Sequence, residues 1–289
     1  MAFDPFLYVA LFAGVLVGRL SRVRSPWVPR ATLATVVVLV GLLGTALSGV
    51  STDALLTTIP VALGFVVLIL GITTAIYLAL ERTGPNERAE ASPPGPAKTF
   101  PISAALLVAL LVGFGLGHFI EVPTAPAITG ALYLLLALVG FDLTLRWERL
   151  NRLWVPITAA VGAALVSAAL FALLTHVSLA VSLATSLAFG WYTLSGPLVA
   201  ARAGAVLGLL AFLTNFLRES LTMVLSPYVG HRLRGEGLAA LGGATSMDTT
   251  LYFVTRFGEK EAASLSLASG LLLTLTASLV LPAVLALPL

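Results

Sequence analysis

Long apolar segments constrain the fold of this chain more than any other feature of the sequence. Several approach the roughly 20 residues that an α-helix needs to cross a bilayer, and a membrane-spanning backbone must satisfy its own hydrogen bonds. Apolar residues make up 58% of the chain and charged residues only 10%. We therefore predict an all-α polytopic membrane protein. The predicted spans lie near residues 5–18, 31–49, 55–80, 101–120, 127–145, 153–175, 203–229 and 262–287.

Two further apolar stretches, near residues 178–200 and 238–256, are interrupted by glycines and polar residues. The distribution of Lys and Arg indicates how they cross, because basic connections remain in the cytoplasm. The connections after the first, third and fifth spans are basic, whereas those around Asp53, Glu121 and His176 hold no Lys or Arg. Alternate connections are thus predicted on opposite sides of the membrane.

This alternation places the amino terminus outside and favours a hairpin at each interrupted stretch. If the first stretch enters and leaves from outside, the basic segment HRLRGEG, residues 231–237, falls in the cytoplasm. The second stretch then becomes a hairpin that enters from the cytoplasm. We predict about eight transmembrane helices and two oppositely oriented re-entrant, broken helical hairpins, with the carboxyl terminus also outside. Ten full crossings are the alternative.

Residues 82–100 differ in composition from the segments on either side of them. They are charged and rich in Pro and Gly, with nothing apolar to bury. Such composition is typical of a flexible linker. We predict amino-terminal transmembrane helices in residues 1–81, a cytoplasmic linker in 82–100, and a transmembrane core in 101–289.

The chain also repeats itself in part on the two sides of this linker. Three crossings precede the second copy, so the copies run in opposite directions, as in the inverted repeats of many transporters. The alternative is that glycines four residues apart only allow close helix packing. The matching pairs are LFAGVLVGRL (11–20) with LLVGFGLGHF (110–119), and LVGLLGT (39–45) with LVGFDLT (138–144).

The first of three polar clusters is FGWYTLSGP, residues 189–197. Its glycines and proline break a helix, and broken backbone inside a membrane is tolerated only where it is buried in protein or lines a water-filled cavity. The free N–H and C=O groups can then bind a polar solute; an extracellular loop is the alternative. The side chains available to contact a solute are Trp191, Tyr192, Thr193 and Ser195.

The second cluster lies inside the apolar run from 203 to 229. Asn215, Glu219, Thr222 and Ser226 recur at intervals of four, three and four residues, which places them on one helix face. Arg218 points about 100° away from Glu219, so the two cannot pair along the helix. We expect Glu219 to face a cavity and Arg218 to bind another helix or a hairpin carbonyl. A structural ion pair between helices is the alternative.

The third cluster is GGATSMDTT, residues 242–250, a second break that begins with glycines. Thr245 and Ser246 supply hydroxyls, and Asp248 can bind a cation directly or face it from across a cavity opposite Glu219. Helix capping is the alternative role for Asp248, and the two roles are compatible. Weaker candidate carboxylates are Asp53 and Asp142.

FGWYTLSGP, AFLTNFLRESL and GGATSMDTTL, in this order and spacing, resemble the signature of the lysine exporter LysO family of prokaryotic inner membranes. The resemblance implies a secondary transporter that exports L-lysine, and analogues such as thialysine, in exchange for protons. It also implies a reliance on intramembrane carboxylates, a role that carries over to Glu219. A second acidic residue is expected near the end of the second span, for which Asp53, Asp142 and Asp248 are candidates.

The residues suggest how such exchange could work. Lysine carries two ammonium groups and one carboxylate, so its site needs anionic residues for the former and N–H groups or hydroxyls for the latter. Glu219 and Asp248 suit the first need, and the breaks at Gly196 and Gly243 suit the second. If Glu219 holds either a proton or the substrate ammonium but not both, the competition produces antiport. Arg218 would compensate the unoccupied site.

Other functions remain open at this point. An antiporter of another cation or amino acid is the main alternative within the transporter class, and Na⁺ could replace the proton. A channel could use the same hairpins. An intramembrane hydrolase would need Ser195 with a histidine, or two aspartates. However, His118, His176 and His231 are all predicted at membrane edges, and no pair of Asp residues is predicted centrally on facing spans.

No cofactor is implied by the sequence. Cysteine is absent, the three His residues show no metal-ligand spacing, and no phosphate-binding Gly-rich loop with Lys is present. We expect no enzymatic activity, no metal and no nucleic acid; the predicted partners are the amino acid, the coupling ion and the lipid bilayer. A homodimer is compatible with these features.

Overall fold

The computed structural model describes residues 6–21, 27–49, 51–82, 96–120, 123–142, 147–258 and 262–287. Every regular element within these ranges is helical, which confirms the prediction of an all-α fold for this part of the chain. Two short 3-10 helices lie at Trp147–Arg152 and Gly243–Met247. The α-helices are α1 (Phe6–Ser21), α2 (Val28–Leu47), α3 (Thr52–Arg82), α4 (Pro96–Gly117), α5 (Thr124–Asp142), α6 (Trp154–Thr175), α7 (Leu179–Ser186), α8 (Tyr192–Ala203), α9 (Ala205–Gly242), α10 (Leu251–Phe257) and α11 (Ala263–Leu285).

Four helical segments in the described ranges are long and apolar enough to cross a membrane: Asp53–Glu81, Leu150–Thr175, Ala205–Met247 and Ala263–Leu285. Large apolar side chains such as Leu173 are exposed on these segments, as expected of surfaces that face lipid. The multi-pass membrane prediction is confirmed at this level, and the total of eight crossings stays a prediction. Shorter apolar helices cover Val28–Leu42, Ala104–Gly117 and Pro126–Leu138.

The helices divide into two compact units. One unit contains α1, α2, α4 and α5, and the other contains α3 together with α6 to α11. Residues 83–95, most of the predicted linker, lie outside the described ranges, as does Glu121. The three polar clusters all fall in the second of these units.

Glycines set the packing of the first unit. α1 packs on α5, and α2 packs on α4. A Cβ atom at Gly14 would overlap the carbonyl oxygen of Ala137, and one at Gly113 would overlap the carbonyl of Gly41. Only glycine allows these backbones to approach so closely. Glycines of the partial repeat are therefore close-packing residues, as the alternative interpretation stated.

The second unit is a bundle in which α3 and α6 run antiparallel. Phe65 stacks on Phe171 with ring centroids 3.9 Å apart, while Ile76 lies beside Gly162. We name its two ends by their arginines. At the Arg152 end, that residue forms a 3.0 Å ion pair with Glu236.

The Arg202 end of the bundle lies opposite the Arg152 end. There, Arg202 donates from Nε to the carbonyl oxygen of Leu285, 3.0 Å away. α6 begins directly after Arg152 and therefore ends at the Arg202 end, where α7 begins. α8 also ends there, because Arg202 lies in its last turn.

Both interruptions predicted from the sequence are breaks between short helices. The first broken segment, residues 179–203, consists of α7, a turn at 187–191, and α8. It begins and finishes at the Arg202 end of the bundle. The Ser186 hydroxyl donates to the Ala164 carbonyl at 2.9 Å, which places the turn beside the middle of α6.

The second broken segment, residues 235–257, begins where α9 is kinked. Arg234 has φ 54° and ψ −173°, outside the helical region. The chain then runs through the last turns of α9, the second 3-10 helix and α10, and it returns to its start: a Cβ at Gly258 would lie 2.6 Å from Gly235 Cα. This segment begins and finishes at the Arg152 end.

Candidate functional site

The turns of the two broken segments contact each other in the middle of the bundle. The Ala244 N–H donates to the Phe189 carbonyl at 2.9 Å. Gly190 and Gly243 have φ of 98° and 64°, in the region that favours glycine, and a Cβ at Gly243 would lie 2.6 Å from the Phe189 carbonyl oxygen. The glycines recognised as helix breaks therefore also permit this contact between the two turns.

Asn215 on α9 holds the first turn. Its Oδ1 accepts from the Gly190 N–H at 2.8 Å, and its Nδ2 lies 2.9 Å from the Thr185 carbonyl. The same nitrogen is within hydrogen-bond distance of Ser195 Oγ and the Ala211 carbonyl. Asn215 shares a helix face with Glu219 and is therefore also a substrate-binding candidate from the sequence. Its amide is instead engaged with the protein, where it satisfies backbone groups that the helix break leaves open.

Arg218 holds the second turn. This fully buried side chain donates from Nε to the Leu241 carbonyl at 3.1 Å and from Nη2 to the Ala240 carbonyl at 3.3 Å. These carbonyls belong to the last turn of α9, where a cation is favoured by the helix dipole. Arg218 thus binds carbonyls of the second broken segment, as expected, whether or not that segment is a hairpin. Its Nη1 is buried without a hydrogen-bond partner among the described residues.

Glu219 and Asp248 come together although they lie on different elements. Glu219 is only 2% exposed, and it interacts electrostatically with Asp248. The Thr249 hydroxyl forms a hydrogen bond with Glu219 and lies 3.2 Å from Asp248 Oδ1. Neither carboxylate forms an ion pair with a described basic residue. The site therefore brings two carboxyl groups together without a basic partner among the described residues.

Aromatic side chains line the α8 side of this site. The Tyr192 ring lies edge-on to Phe212 and Phe216, with centroids 5.2 and 5.7 Å away, and Tyr192 also interacts electrostatically with both carboxylates. Trp191 donates from Nε1 to the Thr193 hydroxyl at 3.0 Å. Trp191, Tyr192 and Thr193 are partly exposed, so they remain available to a solute.

The other predicted hydroxyls are engaged within the turns. Ser195 donates to the Ala211 carbonyl at 3.4 Å, and Thr245 donates to the Gly242 carbonyl at 3.0 Å. Ser246 lies within reach of the Gly243 carbonyl at 2.8 Å. These hydroxyl hydrogens satisfy open carbonyls of the broken helices.

The two weaker carboxylate candidates are not part of this cluster as described. Asp53 is exposed in the first turn of α3, one end of the bundle. Asp142 is the last residue of α5, in the other compact unit, and its side chain lies outside the description. Among the candidates, Asp248 is therefore the carboxylate that the structure brings to Glu219.

Thr249 belongs to the third polar cluster but has no role predicted from the sequence, and Ser266 is not among the predicted residues. Thr249 contacts both carboxylates, and its position directly after Asp248 in a broken segment was the available signal. Ser266 lies on α11, and its hydroxyl donates to the Ser246 carbonyl at 2.7 Å. In return, the Ser246 hydroxyl donates to the Ser266 carbonyl at 3.0 Å. A serine in an apolar helix gives no indication of its partner. Among the described residues, no group of three or more His, Cys, Asp or Glu side chains could hold a metal ion.

Comparisons with known proteins agree with the motifs at this site. The family model described as "Lysine exporter LysO" matches residues 107–285. The chain is 32% identical over 183 residues to "Lysine exporter LysO" of Escherichia coli, covering 60% of each protein. It is 30% identical over 93 residues to a "Putative lysine exporter" of Haemophilus influenzae, covering 32% of this chain and 47% of that protein. The chain thus spans less than two thirds of these relatives, and no solved structure matches it.

Proposed function

The chain belongs to the lysine exporter LysO family, and on this premise we propose that it exports L-lysine from the cytoplasm by exchange for protons. The family consists of transporters and not of enzymes. Analogues of the same charge and length, such as thialysine, would use the same path. The observation that carries the proposal is the pair of neighbouring carboxyl groups, buried Glu219 and half-buried Asp248, which lacks a basic partner among the described residues.

The chemistry of this pair suits exchange. A carboxylate removed from water is favourable only when a proton neutralises it or a cation lies close to it. Glu219 and Asp248 can therefore hold a proton or a substrate ammonium, and the arrival of one displaces the other. A carrier that changes conformation only with one of these cargoes bound exchanges them across the membrane. Tyr192 and Trp191 supply a partly exposed aromatic wall for the methylene chain.

We further propose that the two broken segments are re-entrant hairpins of opposite orientation. Support comes from their ends: the first begins and finishes at the Arg202 end, and the second at the Arg152 end. Broken helices that meet near the membrane midplane are a recurring arrangement in transporters. Arg232 and Arg234 accompany Arg152 at its end of the bundle, which favours a cytoplasmic position for that end.

Eight crossings and an inverted repeat follow from the same reasoning. In one compact unit, the first helix of the first copy, α1, packs on α5, the second helix of the second copy. Reciprocally, α4 packs on α2, and in the other unit α3 packs antiparallel on α6. Within the first unit, this exchange of partners is the pattern expected if α1–α2 and α4–α5 are inverted copies, and the antiparallel packing of α3 on α6 within the second unit is compatible with the same repeat. Residues 82–100 would then link the copies in the cytoplasm, and both termini would lie outside.

The decisive experiment is counterflow of labelled L-lysine in proteoliposomes, with and without a pH gradient, for the wild type and Glu219→Gln. We expect saturable exchange that responds to the gradient in the wild type and falls to background in the variant. Glu81→Gln is the matched control, because it also removes a carboxylate from a membrane helix but at the end of α3. Replacing Na⁺ by K⁺ should leave exchange unchanged if protons are the coupling ion.

Undiminished exchange by a folded Glu219→Gln protein would exclude the proposed role of this residue. No lysine flux in the wild type would exclude the proposed substrate while leaving the fold intact. Flux that does not saturate and does not depend on a substrate on the opposite side would indicate a channel. Size-exclusion elution of each purified variant checks that it is folded.

A further inference from the structure

Arg218 carries a donor that no described residue of the protein accepts. Its side chain is 0% exposed, and its Nε and Nη2 donate to the carbonyls of Leu241 and Ala240. Among the residues that the structure describes, Nη1 is buried with no hydrogen-bond partner. A buried charged donor left open costs free energy, so a ligand that accepts from Nη1 would be favoured.

The Arg218 guanidinium lies at the meeting point of the two turns. A Cβ at Gly243 would lie 2.9 Å from Arg218 Nη2, so the guanidinium rests directly against the second turn. The next residue on α9 is Glu219, which points to Asp248 and Thr249 instead. One turn of α9 therefore carries Arg218 and, on an adjacent face, Glu219, which lies beside Asp248 of the second broken segment. Among the described residues, Arg218 Nη1 has no acceptor and the two carboxyl groups have no basic partner.

These two charges correspond to the two ends of an amino acid. The guanidinium fork is well suited to carboxylates, to which it forms strong charge-assisted hydrogen bonds. An ammonium group would be repelled by Arg218 and attracted to the carboxylate pair. A diamine of the same length satisfies the carboxylates but leaves Nη1 open.

We propose that Arg218, through Nη1, binds the carboxylate of the transported amino acid, so that the site selects amino acids against amines of the same length. The inference rests on the proposed function and adds a residue that determines specificity. The hydrogen bonds to Leu241 and Ala240 hold the guanidinium in position for this contact and tie substrate binding to the second broken segment.

The test is competition against labelled L-lysine counterflow by three unlabelled compounds: L-lysine, L-lysine methyl ester and cadaverine, which is lysine without its carboxylate. In the wild type we expect the ester and cadaverine to require concentrations about tenfold higher or more, the effect of losing a charge-assisted hydrogen bond. If either compound competes as well as lysine, the inference is wrong although lysine transport stands. Absence of lysine counterflow in the wild type would instead contradict the proposed function.

Arg218→Lys assigns the selection to this side chain. The introduced lysine side chain keeps the positive charge but lacks the two parallel N–H donors of a guanidinium. The inhibitory concentration of cadaverine divided by that of free L-lysine should therefore fall to about threefold or less in this variant. Arg202→Lys is the matched control, because Arg202 also donates to a helix carbonyl but at the end of the bundle; its ratio should equal that of the wild type. An unchanged ratio in folded Arg218→Lys would overturn the assignment.

If Arg218→Lys does not fold, Gly243→Ala provides the second variant. Its added Cβ would displace the guanidinium without removing the charge. A reduced ratio supports the inference, and an unchanged ratio with a folded protein contradicts it. The competition measurements on the wild type test by themselves whether the protein recognises the substrate carboxylate, even if neither variant folds.

Discussion

The two broken segments solve the same problem with different chemistry. Both end short helices inside the bundle and leave backbone groups open there. A neutral amide, Asn215, holds the first turn and forms hydrogen bonds to it through both Oδ1 and Nδ2. A charged guanidinium, Arg218, holds the second turn, and its Nη1 has no acceptor among the described residues. The second segment also carries Asp248. The first turn is thus held by neutral hydrogen bonds, whereas charged or ionisable side chains, Arg218 and Asp248, lie at the second.

The largest effect that separates the two segments should come from Asp248→Asn. The variant removes one of two paired carboxylates and keeps the side-chain shape, so lysine exchange should fall about tenfold or more while folding is unaffected. Counterflow in proteoliposomes measures the exchange. Asp53→Asn, at the exposed start of α3, should retain exchange. The reverse outcome would assign the second carboxylate to Asp53.

Asn215→Leu should affect stability more than any other change at the first turn. It leaves the Gly190 N–H and the Thr185 carbonyl buried without partners, which together cost about 4 kcal/mol of the free energy of unfolding. Denaturation by SDS titration measures the loss. Thr222→Val is the control on the same helix, since the Thr222 hydroxyl reaches the second turn only at 3.5 Å. Equal losses in both variants would contradict the special role of Asn215.

Gly243→Ala tests the contact between the two turns. Its Cβ would meet the Phe189 carbonyl at 2.6 Å, and its φ of 64° disfavours alanine, so we expect a loss of about 2–3 kcal/mol in the free energy of unfolding. Gly64→Ala, in α3 with no atom within 4 Å of the added Cβ, should instead be neutral or stabilising by about 0.5–1 kcal/mol. SDS titration compares them. A tolerated Gly243→Ala would mean that the turns separate readily.

The smallest effects are expected where each broken segment joins α9. Gly204 follows the first segment with φ 91° and ψ 165°, and Arg234 precedes the second with φ 54° and ψ −173°. Gly204→Ala should therefore cost about 1–3 kcal/mol. Arg234→Gly relieves the backbone strain but also removes the interactions of the Arg234 side chain and adds chain entropy, so its net effect should stay within about 1 kcal/mol. Thermal unfolding in detergent compares the two variants; a larger loss in Arg234→Gly than in Gly204→Ala would show that backbone strain does not distinguish the two junctions.

Sequence periodicity and glycine positions were sufficient to predict much of this architecture. The apolar runs correspond to helices, and FGWYTLSGP and GGATSMDTT correspond to the two breaks. The direction of Arg218 away from Glu219 followed from 100° per residue and is confirmed by its carbonyl partners. These features are local, so the chain itself specifies them. In contrast, the engagement of Asn215, Ser195 and Ser246 with the turns could not be predicted, because their partners lie far away in the chain.

The sequence by itself determined three things about the site: which helices are apolar, where they break, and which polar side chains lie at those breaks. Side-chain type and helical spacing are sufficient for this, since both act over a few residues. Only the tertiary structure decided which of those groups remain available. It places Asp248 beside Glu219. It also engages the Asn215 amide in hydrogen bonds to the first turn, because the open backbone groups of a broken helix must be satisfied by the polar side chains that pack near them.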